Sequence, residues 1–190
     1  MKDLFPIPLL QERLTLTNNT LYEDIKSQRA QRSPDRHNYT SYYDKDPMEG
    51  INWSNLRDAI LEHSRIYFRS VCPKSPPPSS LRINAWWNLY DKHNHHCWHA
   101  HGRSLFSGTF YVYIDDRSVP IEFRSPIESL VNSWQAGFGV ETRWAQTLQV
   151  HPSTNDLLIW PSWVDHNVPE QKVVSDNLRC SISFNVISKL

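Results

Sequence analysis

The sequence is poor in glycine and cysteine, and neither sign of charge predominates. Five glycines among 190 residues leave no glycine-rich loop of the kind that cradles a phosphate. The three cysteines, Cys72, Cys97 and Cys180, are odd in number and scattered, which excludes a disulfide framework and favours a reducing compartment. Lys plus Arg equals Asp plus Glu at 20 each, so nothing indicates a nucleic-acid-binding surface.

Long apolar runs are missing too. No window approaches the roughly 18 apolar residues that a membrane-spanning helix needs. Residues 1–10 carry charge but no apolar stretch, and two prolines interrupt them, which is unlike a signal peptide. We therefore expect a soluble, cytoplasmic protein with no membrane partner. The length favours one domain, residues 1–190, and leaves a homo-oligomer open.

The residue pattern changes from helical to β at about residue 81. Proline cannot donate to a sheet ladder, so residues 4–10 are predicted as an extended edge segment. Residues 18–30 are predicted as partly helical and residues 31–50 as irregular. Apolar residues at three- and four-residue spacing predict a helix over 54–70, capped by Ser54.

A Pro/Ser linker at residues 73–80 ends the helical part. Segments rich in β-forming residues, separated by turn residues, then follow at 81–90, 107–114, 119–123, 145–150, 156–161 and 178–187. This order predicts a mainly β barrel or sandwich over residues 81–190. An N-terminal helical and extended part, residues 1–80, is expected to pack on it.

Five of the nine histidines lie within residues 93–101. Neutral imidazole is a common ligand for iron, zinc and copper. Residues two apart on a strand share a face, so His99 and His101 are predicted to point together into the barrel. His166, which follows a predicted strand, is the best candidate for a third ligand, and three ligands leave positions open for catalysis. Hydrogen-bonded surface or core roles are favoured for His93, His95 and His96.

A second feature lies in residues 179–185, where Arg179, Ser181 and Ser183 alternate with apolar residues. On a strand, one face of this segment would carry a guanidinium and hydroxyls. An inward guanidinium is costly without an anionic partner, and it binds a carboxylate in a two-pronged way. The pattern therefore favours a small metal-bound dicarboxylate beside Arg179 and Ser181. A structural ion pair is the alternative for Arg179.

Five pieces of the sequence carry a family resemblance. In order they are Asn84-Ala85-Trp86-Trp87-Asn88, His99-x-His101, Ser107-Gly108-Thr109-Phe110-Tyr111-Val112, Trp160-Pro161-Ser162-Trp163-x-x-His166-x-Val168 and Arg179-x-Ser181-Ile182-Ser183-Phe184-Asn185. Together they resemble the 2-oxoglutarate/iron(II) oxygenases of marine bacterial and cyanophage type. The likeness runs over nearly the whole chain and is densest from residue 81 to 187.

The resemblance implies a double-stranded β-helix, which is a jelly-roll, cupin-like barrel, and a dioxygenase that uses iron(II), 2-oxoglutarate and O₂. The implied reaction is hydroxylation of an unidentified small molecule or peptidyl side chain, with release of succinate and CO₂. A viral member would act in the host cytoplasm. The implied site residues are His99, His101 and His166 for iron, Arg179 and Ser181 for the distal carboxylate of 2-oxoglutarate, and Asn88 as a weaker cosubstrate contact.

This chain departs from the wider oxygenase superfamily at one position. The superfamily carries Asp or Glu where this chain has His101. A third histidine removes one negative charge from the metal site, which should weaken the binding of a dication and raise the electrophilicity of iron.

Two other functions fit parts of the pattern. A three-histidine zinc site with an open position suits a hydratase or hydrolase, although such an enzyme has no need of a dicarboxylate clamp. A non-catalytic β-barrel could also bind a ligand with the same residues. Residues 124–144, which contain Trp134, Phe138 and two glycines, are predicted as a lid over the barrel mouth.

Overall fold

The computed structural model describes residues 6–16, 20–29, 38–76, 78, 80–139, 147–173 and 178–188. Within these residues the β-strands form two antiparallel sheets, of six and four strands. The six-stranded sheet has the order β1-β8-β5-β10-β3-β2 and the other has β4-β9-β6-β7. The strands are β1 Leu10–Arg13, β2 Tyr39–Thr40, β3 Leu81–Tyr90, β4 His96–His99, β5 Phe106–Tyr113, β6 Ile121–Arg124, β7 Thr147–Val150, β8 Asp156–Pro161, β9 His166–Val168 and β10 Arg179–Ser188.

The helices are α1 Leu21–Arg29, α2 Ser54–Val71 and α3 Glu128–Phe138. The first two lie against the six-stranded sheet, because each has an apolar stripe that is buried there. Ile25 of α1 and Ile60 of α2 are fully buried in one cluster with Trp87 of β3 and Ile182 of β10. The indole of Trp87 also donates a hydrogen bond to Gln28 at 3.1 Å. A single domain over residues 1–190 stays a prediction.

Most of the predicted elements agree with the structure. The helix predicted at 54–70 is α2, Ser54–Val71, and the strand predicted at 81–90 is β3. The predicted cap is wrong: Trp53 occupies the N-cap position, and no side chain caps the helix. The Ser54 hydroxyl points instead to the amide oxygen of Asn52, at 3.4 Å.

Two corrections concern short strands. Within the segment predicted as extended at 4–10, the described residues 6–9 form no strand, and the edge strand begins at Leu10. Strands β4 and β9 were not predicted. They are short, and three of their seven residues are histidine, which is not a strong strand former. Pairing with neighbouring strands rather than local propensity therefore holds them extended.

Strand β10 separates the interior into two environments. Cys180, Ile182 and Val186 are buried in the cluster that faces the helices. Residues of the opposite parity, beginning with Arg179 and Ser181, line a cavity between the two sheets. This is the alternation predicted from the sequence, and it follows from the two-residue repeat of a strand.

Adjacent tryptophans on β3 divide in the same way. Trp87 is fully buried in the helix-facing cluster, whereas Trp86 lines the cavity between the sheets. The expectation that only one of them faces the barrel interior is therefore confirmed.

Gly108 of β5 lies where a side chain cannot fit. A Cβ atom there would lie 2.5 Å from the carbonyl oxygen of Leu158 and would overlap the ring of Phe184. Because one obstacle is backbone, we expect Gly108→Ala to lower the free energy of unfolding by about 1–3 kcal/mol, measured by urea denaturation. Gly102→Ala is the matched control, since nothing lies within 4 Å of its Cβ position. Equal midpoints for the two variants would contradict this packing.

Candidate active site

Three histidines converge at one end of the four-stranded sheet. His99 ends β4 and His166 begins β9, and the two residues are directly paired across these antiparallel strands. His101 lies two residues beyond β4. One ring nitrogen from each of the three lies within 4.8 Å of the others. The centroid of the His99 ring is 4.2 Å from that of His166 and 5.0 Å from that of His101. The structure thus brings together the three predicted ligands.

Strand alternation was predicted to bring His99 and His101 together, but their convergence has another cause. Strand β4 ends at His99, and His101 lies in the following turn. Its backbone N–H donates to the carbonyl of Ser162 at 2.8 Å, and its carbonyl accepts from the N–H of Ser104 at 3.4 Å. The loop that leads towards β9 therefore fixes His101, which the spacing of two residues could not reveal.

Backbone carbonyls orient two of the imidazoles. Nδ1 of His99 lies 2.9 Å from the carbonyl oxygen of Cys97, and Nδ1 of His166 lies 3.0 Å from that of Val164. A carbonyl only accepts, so Nδ1 carries the proton in both rings and Nε2 keeps its lone pair for a metal. Such support of the second ring nitrogen is the usual arrangement around metal-ligating histidines.

Burial lowers the pKa of all three imidazoles. Desolvation is the largest cause in each case. With the nearby His99 ring it lowers the pKa of His101 to about 4. The pKa of His166 falls well below its ordinary value for the same two reasons. In His99 the Cys97 carbonyl partly opposes the effect of burial. At neutral pH no proton competes with a metal for these rings.

The remaining histidines of the 93–101 cluster differ in position. His93 is exposed and lies 2.6 Å from a carboxylate oxygen of Glu170. Nδ1 of His95 lies 3.4 Å from a backbone carbonyl. His96 is different, because its ring stacks on His99 with 4.3 Å between centroids and it lines the cavity between the sheets.

The guanidinium of Arg179 is buried in the same cavity. The residue is 3% exposed, and its Nε and Nη1 have no hydrogen-bond partner among the described residues. Its Cζ atom lies 4.6 Å from the ring centroid of Tyr90 and 5.3 Å from that of Tyr111. Cation–π contacts of this kind hold the cation, but they do not replace the hydrogen bonds that it gave up in water.

Further polar groups surround this cation. The hydroxyl of Tyr111 is buried and has no hydrogen-bond partner among the described residues. Ser181 is 2% exposed and also lines the cavity. A buried charge and a buried hydroxyl left unpaired side by side indicate a site shaped for a small anion.

Asn88 takes a less direct position. It is buried on β3 but is not among the residues that line the cavity. Its amide donates to the hydroxyl of Ser183 at 3.1 Å and accepts from Asn38 at 3.3 Å. Ser183 does line the cavity, so Asn88 reaches it through that hydroxyl.

An outer cavity of about 320 Å³ adjoins the histidines. Its walls include Tyr42, Tyr43 and Trp86, and it shares His99 and His101 with the inner cavity. The described residues that line it include no Asp, Glu, Lys or Arg. Apart from its histidines, this side of the histidine cluster is therefore aromatic and neutral.

The segment predicted as a lid is partly described. Residues 128–138 form α3, and residues 140–144 lie outside the described residues. No residue of 124–139 lines the inner cavity. Trp134 and Phe138 are exposed and contact each other, with 5.5 Å between ring centroids. The lid stays a prediction.

Sequence reasoning missed Tyr90 and Tyr111. Tyr90 is the direct partner of Arg179 across β3 and β10, and Tyr111 pairs with Ser181 across β5 and β10. Strand pairing is needed to see this. The only signal in the sequence is that each tyrosine lies in a predicted strand.

The fold and the site together define a class. Two antiparallel sheets enclose three histidines and an unpaired arginine, which is the arrangement of a metal-dependent oxygenase with a double-stranded β-helix. The family model described as "Putative 2OG-Fe(II) oxygenase" matches residues 84–185. The chain belongs to this family, so it is an oxygenase whose cofactors are iron(II) and 2-oxoglutarate. This decides against the zinc enzyme and the non-catalytic barrel.

Solved structures support the fold. The chain is similar to a prolyl-4-hydroxylase of Pseudomonas putida, with 12% identity, 97% of this chain and 89% of that chain covered, and a TM-score of 0.55. It is similar to SnoK, a non-heme α-ketoglutarate-dependent carbocyclase from nogalamycin biosynthesis, with 13% identity, 96% and 80% coverage and a TM-score of 0.59.

A third structure is that of HygX from Streptomyces hygroscopicus with nickel and 2-oxoglutarate bound, with 9% identity, 94% and 83% coverage and a TM-score of 0.55. Identities this low show the fold alone, and they confirm the predicted double-stranded β-helix. No curated protein matches the chain in sequence. No helix among the described residues is long and apolar enough to cross a membrane.

The lowered pKa values predict a pH-dependent stability. The pKa of a histidine is about 6.5 in an unfolded chain and about 4 for His101 in the folded protein. Between these values the unfolded chain binds more protons, so stability should fall as the pH drops from about 6.5 to 4 and be retained above 6.5. Urea unfolding with a chelator present measures this. His101→Gln should give a shallower slope, and an unchanged slope would contradict the burial of a neutral imidazole.

Proposed function

We propose that His99, His101 and His166 bind the iron(II) of this oxygenase. Three observations support the assignment: one nitrogen of each ring lies within 4.8 Å of the others, backbone carbonyls present Nε2 of two of them, and burial keeps them neutral. Three imidazoles suit iron, and they leave the remaining coordination positions for 2-oxoglutarate and O₂. These three imidazole nitrogens therefore fit iron(II), the metal that the family requires.

Arg179 and Ser181 are the proposed anchor of 2-oxoglutarate. The observation that carries the proposal is the buried guanidinium with two unpaired nitrogens. A carboxylate would accept from it in a two-pronged way, and the unpaired hydroxyl of Tyr111 supplies a further donor. The distal carboxylate of 2-oxoglutarate is the anion of the right kind, because its other end chelates the metal.

Asn88 is the weaker proposed contact. Its amide holds the hydroxyl of Ser183 at the cavity wall, so it would act on the cosubstrate through Ser183. The same hydroxyl lies 3.4 Å from that of Thr109. These neutral groups would order the polar wall next to Arg179 without adding charge.

The proposed reaction is hydroxylation of an unidentified primary substrate, with release of succinate and CO₂. Iron and 2-oxoglutarate supply the oxidising chemistry when they are bound. The protein binds and orients them and excludes water, since Tyr111 and Trp160 close the inner cavity and are almost fully buried. A small molecule or a peptidyl side chain would approach through the outer cavity.

Two finer points of origin and location are also proposals. The order of the five sequence pieces favours the marine bacterial and cyanophage branch of the family. Three free cysteines favour the reducing cytoplasm, or the host cytoplasm for a viral protein. The structure describes one chain, and a homo-oligomer stays open.

The Arg179 anchor is tested by cosubstrate binding. Wild-type protein mixed anaerobically with iron(II) and 2-oxoglutarate should show the weak visible charge-transfer band of the chelate, and succinate should form after air is added. Removal of a buried charge partner costs about 2–5 kcal/mol, so Arg179→Ala should weaken 2-oxoglutarate binding by at least about 30-fold in a titration of that band.

Arg82→Ala is the matched control, because Arg82 lies on the adjacent strand β3 and is exposed. Its titration should overlay that of the wild type. A band of undiminished affinity in Arg179→Ala would contradict the anchor, and the absence of a band in the wild type would contradict the oxygenase site as a whole.

The outer cavity is tested through Cys97, an exposed free thiol on its wall. A bulky maleimide on Cys97 should block substrates, so peptides or metabolites that stimulate succinate formation by unlabelled protein should lose this effect. The anaerobic band of the chelate should persist. Maleimide-treated Cys97→Ser controls for reaction at Cys72. Full substrate stimulation in labelled wild type would contradict entry through this cavity.

A further inference from the structure

Asn185 of β10 lies between the histidine cluster and a buried serine. Its Nδ2 atom is 3.4 Å from Nδ1 of His101. Its Oδ1 atom accepts a hydrogen bond from the hydroxyl of Ser107 at 2.7 Å. Ser107 is 1% exposed, so the amide is held at one end by a buried partner and faces the third imidazole at the other.

This contact sets the proton position on His101. An amide oxygen would accept a proton from Nδ1 of His101, whereas an amide NH₂ only donates and would require an unprotonated Nδ1. In the second case the proton of a neutral imidazole is on Nε2, which leaves no lone pair there for a metal. His99 and His166 have the opposite arrangement, because their Nδ1 atoms face carbonyl oxygens. For His101 to bind a metal through Nε2 as they can, the oxygen end of the Asn185 amide must therefore face Nδ1.

Rotation of the Asn185 amide can present either end to His101. The amide oxygen and nitrogen are nearly equal in size, so rotation by about 180° exchanges them without moving the backbone. Oδ1 would then accept the proton of His101 Nδ1, and Nδ2 would donate to the hydroxyl of Ser107. A serine hydroxyl both donates and accepts, so Ser107 can pair with either end.

We propose that Asn185 is the positioning residue that selects the metal-binding tautomer of His101, by presenting its amide oxygen to Nδ1. The inference rests on the proposed role of His101 as a ligand. Asn185 does not touch the metal. It acts through His101, as partners of metal-ligating histidines do when they fix the tautomer and raise the basicity of the ring.

Metal affinity gives the first test. Anaerobic Co(II) is the probe, and its visible absorption gives a dissociation constant without any turnover. Loss of such a partner typically costs about 10–100-fold in metal affinity, so Asn185→Ala should bind Co(II) about that much more weakly. Asn185→Asp keeps the shape, and its carboxylate only accepts, so it should bind Co(II) at least as tightly as the wild type.

Two controls separate positioning from general effects. Asn84→Asp adds the same charge on the residue paired with Asn185 across β3, where Asn84 is exposed, and it should leave Co(II) affinity close to that of the wild type. In a His101→Ala background, Asn185→Ala should cause no further loss, because the two residues act as one unit. An equal loss with and without His101 would overturn the proposal, as would wild-type affinity in Asn185→Ala.

The tautomer itself can be observed. In ¹⁵N-histidine-labelled protein, long-range ¹H–¹⁵N correlations should show His101 protonated at Nδ1 when Zn(II) is bound. Protonation of His101 at Nε2 in the Zn(II)-bound protein would overturn the proposal. A wild-type protein that binds neither Co(II) nor Zn(II) would overturn the metal site itself, which is a different result from a tight site that is indifferent to Asn185.

Discussion

The buried guanidinium of Arg179 is the constraint that organises the interior. A cation with 3% exposure and two unpaired nitrogens is stable only because the rest of the fold compensates for the loss of water. The rings of Tyr90 and Tyr111 hold it on two sides. The strong ladders of β10 with β3 and β5 fix its backbone. These contacts leave two guanidinium nitrogens without hydrogen-bond partners among the described residues. An anion could satisfy both, so the cavity has the character of an anion-binding site.

The histidine cluster depends on a different part of the fold. His99 and His166 are adjacent because β4 and β9 pair, and these strands belong to the four-stranded sheet. Arg179 belongs to the six-stranded sheet. The cavity therefore has the proposed metal ligands His99 and His166 on one sheet and its cation on the other. A dicarboxylate fits this division, since one end can chelate a metal while the other pairs with the guanidinium.

The sequence predicted the long elements and which candidate site residues lie together, but not the reasons for their geometry. The ten residues of β3 and the eighteen of α2 have enough apolar periodicity to be seen locally. The strands β4 and β9 do not, because their extended backbone depends on partners remote in sequence. His101 shows the limit clearly. The two-residue spacing correctly predicted that His101 lies close to His99. However, the backbone N–H of His101 is held by a hydrogen bond to Ser162, which lies in another loop.

Residues that act through strand pairing were also out of reach. Residues 84–90 alone do not predict that Tyr90 will stack on a guanidinium. This contact depends on the register between β3 and β10, which pairs Tyr90 with Arg179. Asn185 was part of a recognised sequence piece, but its contact with His101 spans 84 positions of the chain. Periodicity reports which face a residue takes. It does not predict which side chain of another strand will contact that face.

Charge balance links the two sides of the cavity. Arg179 is the one Lys, Arg, Asp or Glu side chain among the described residues that line it, and burial keeps the imidazoles of His99, His101 and His166 neutral. With iron(II) and doubly charged 2-oxoglutarate, the site would carry one net positive charge, whereas a carboxylate ligand at the position of His101 would make it neutral. The cosubstrate then offsets more of the charge of the metal than it would beside a protein carboxylate. By linkage, the metal and the cosubstrate must each strengthen the binding of the other by the same factor. The proposed three-histidine site would therefore hold its metal most firmly when 2-oxoglutarate is present.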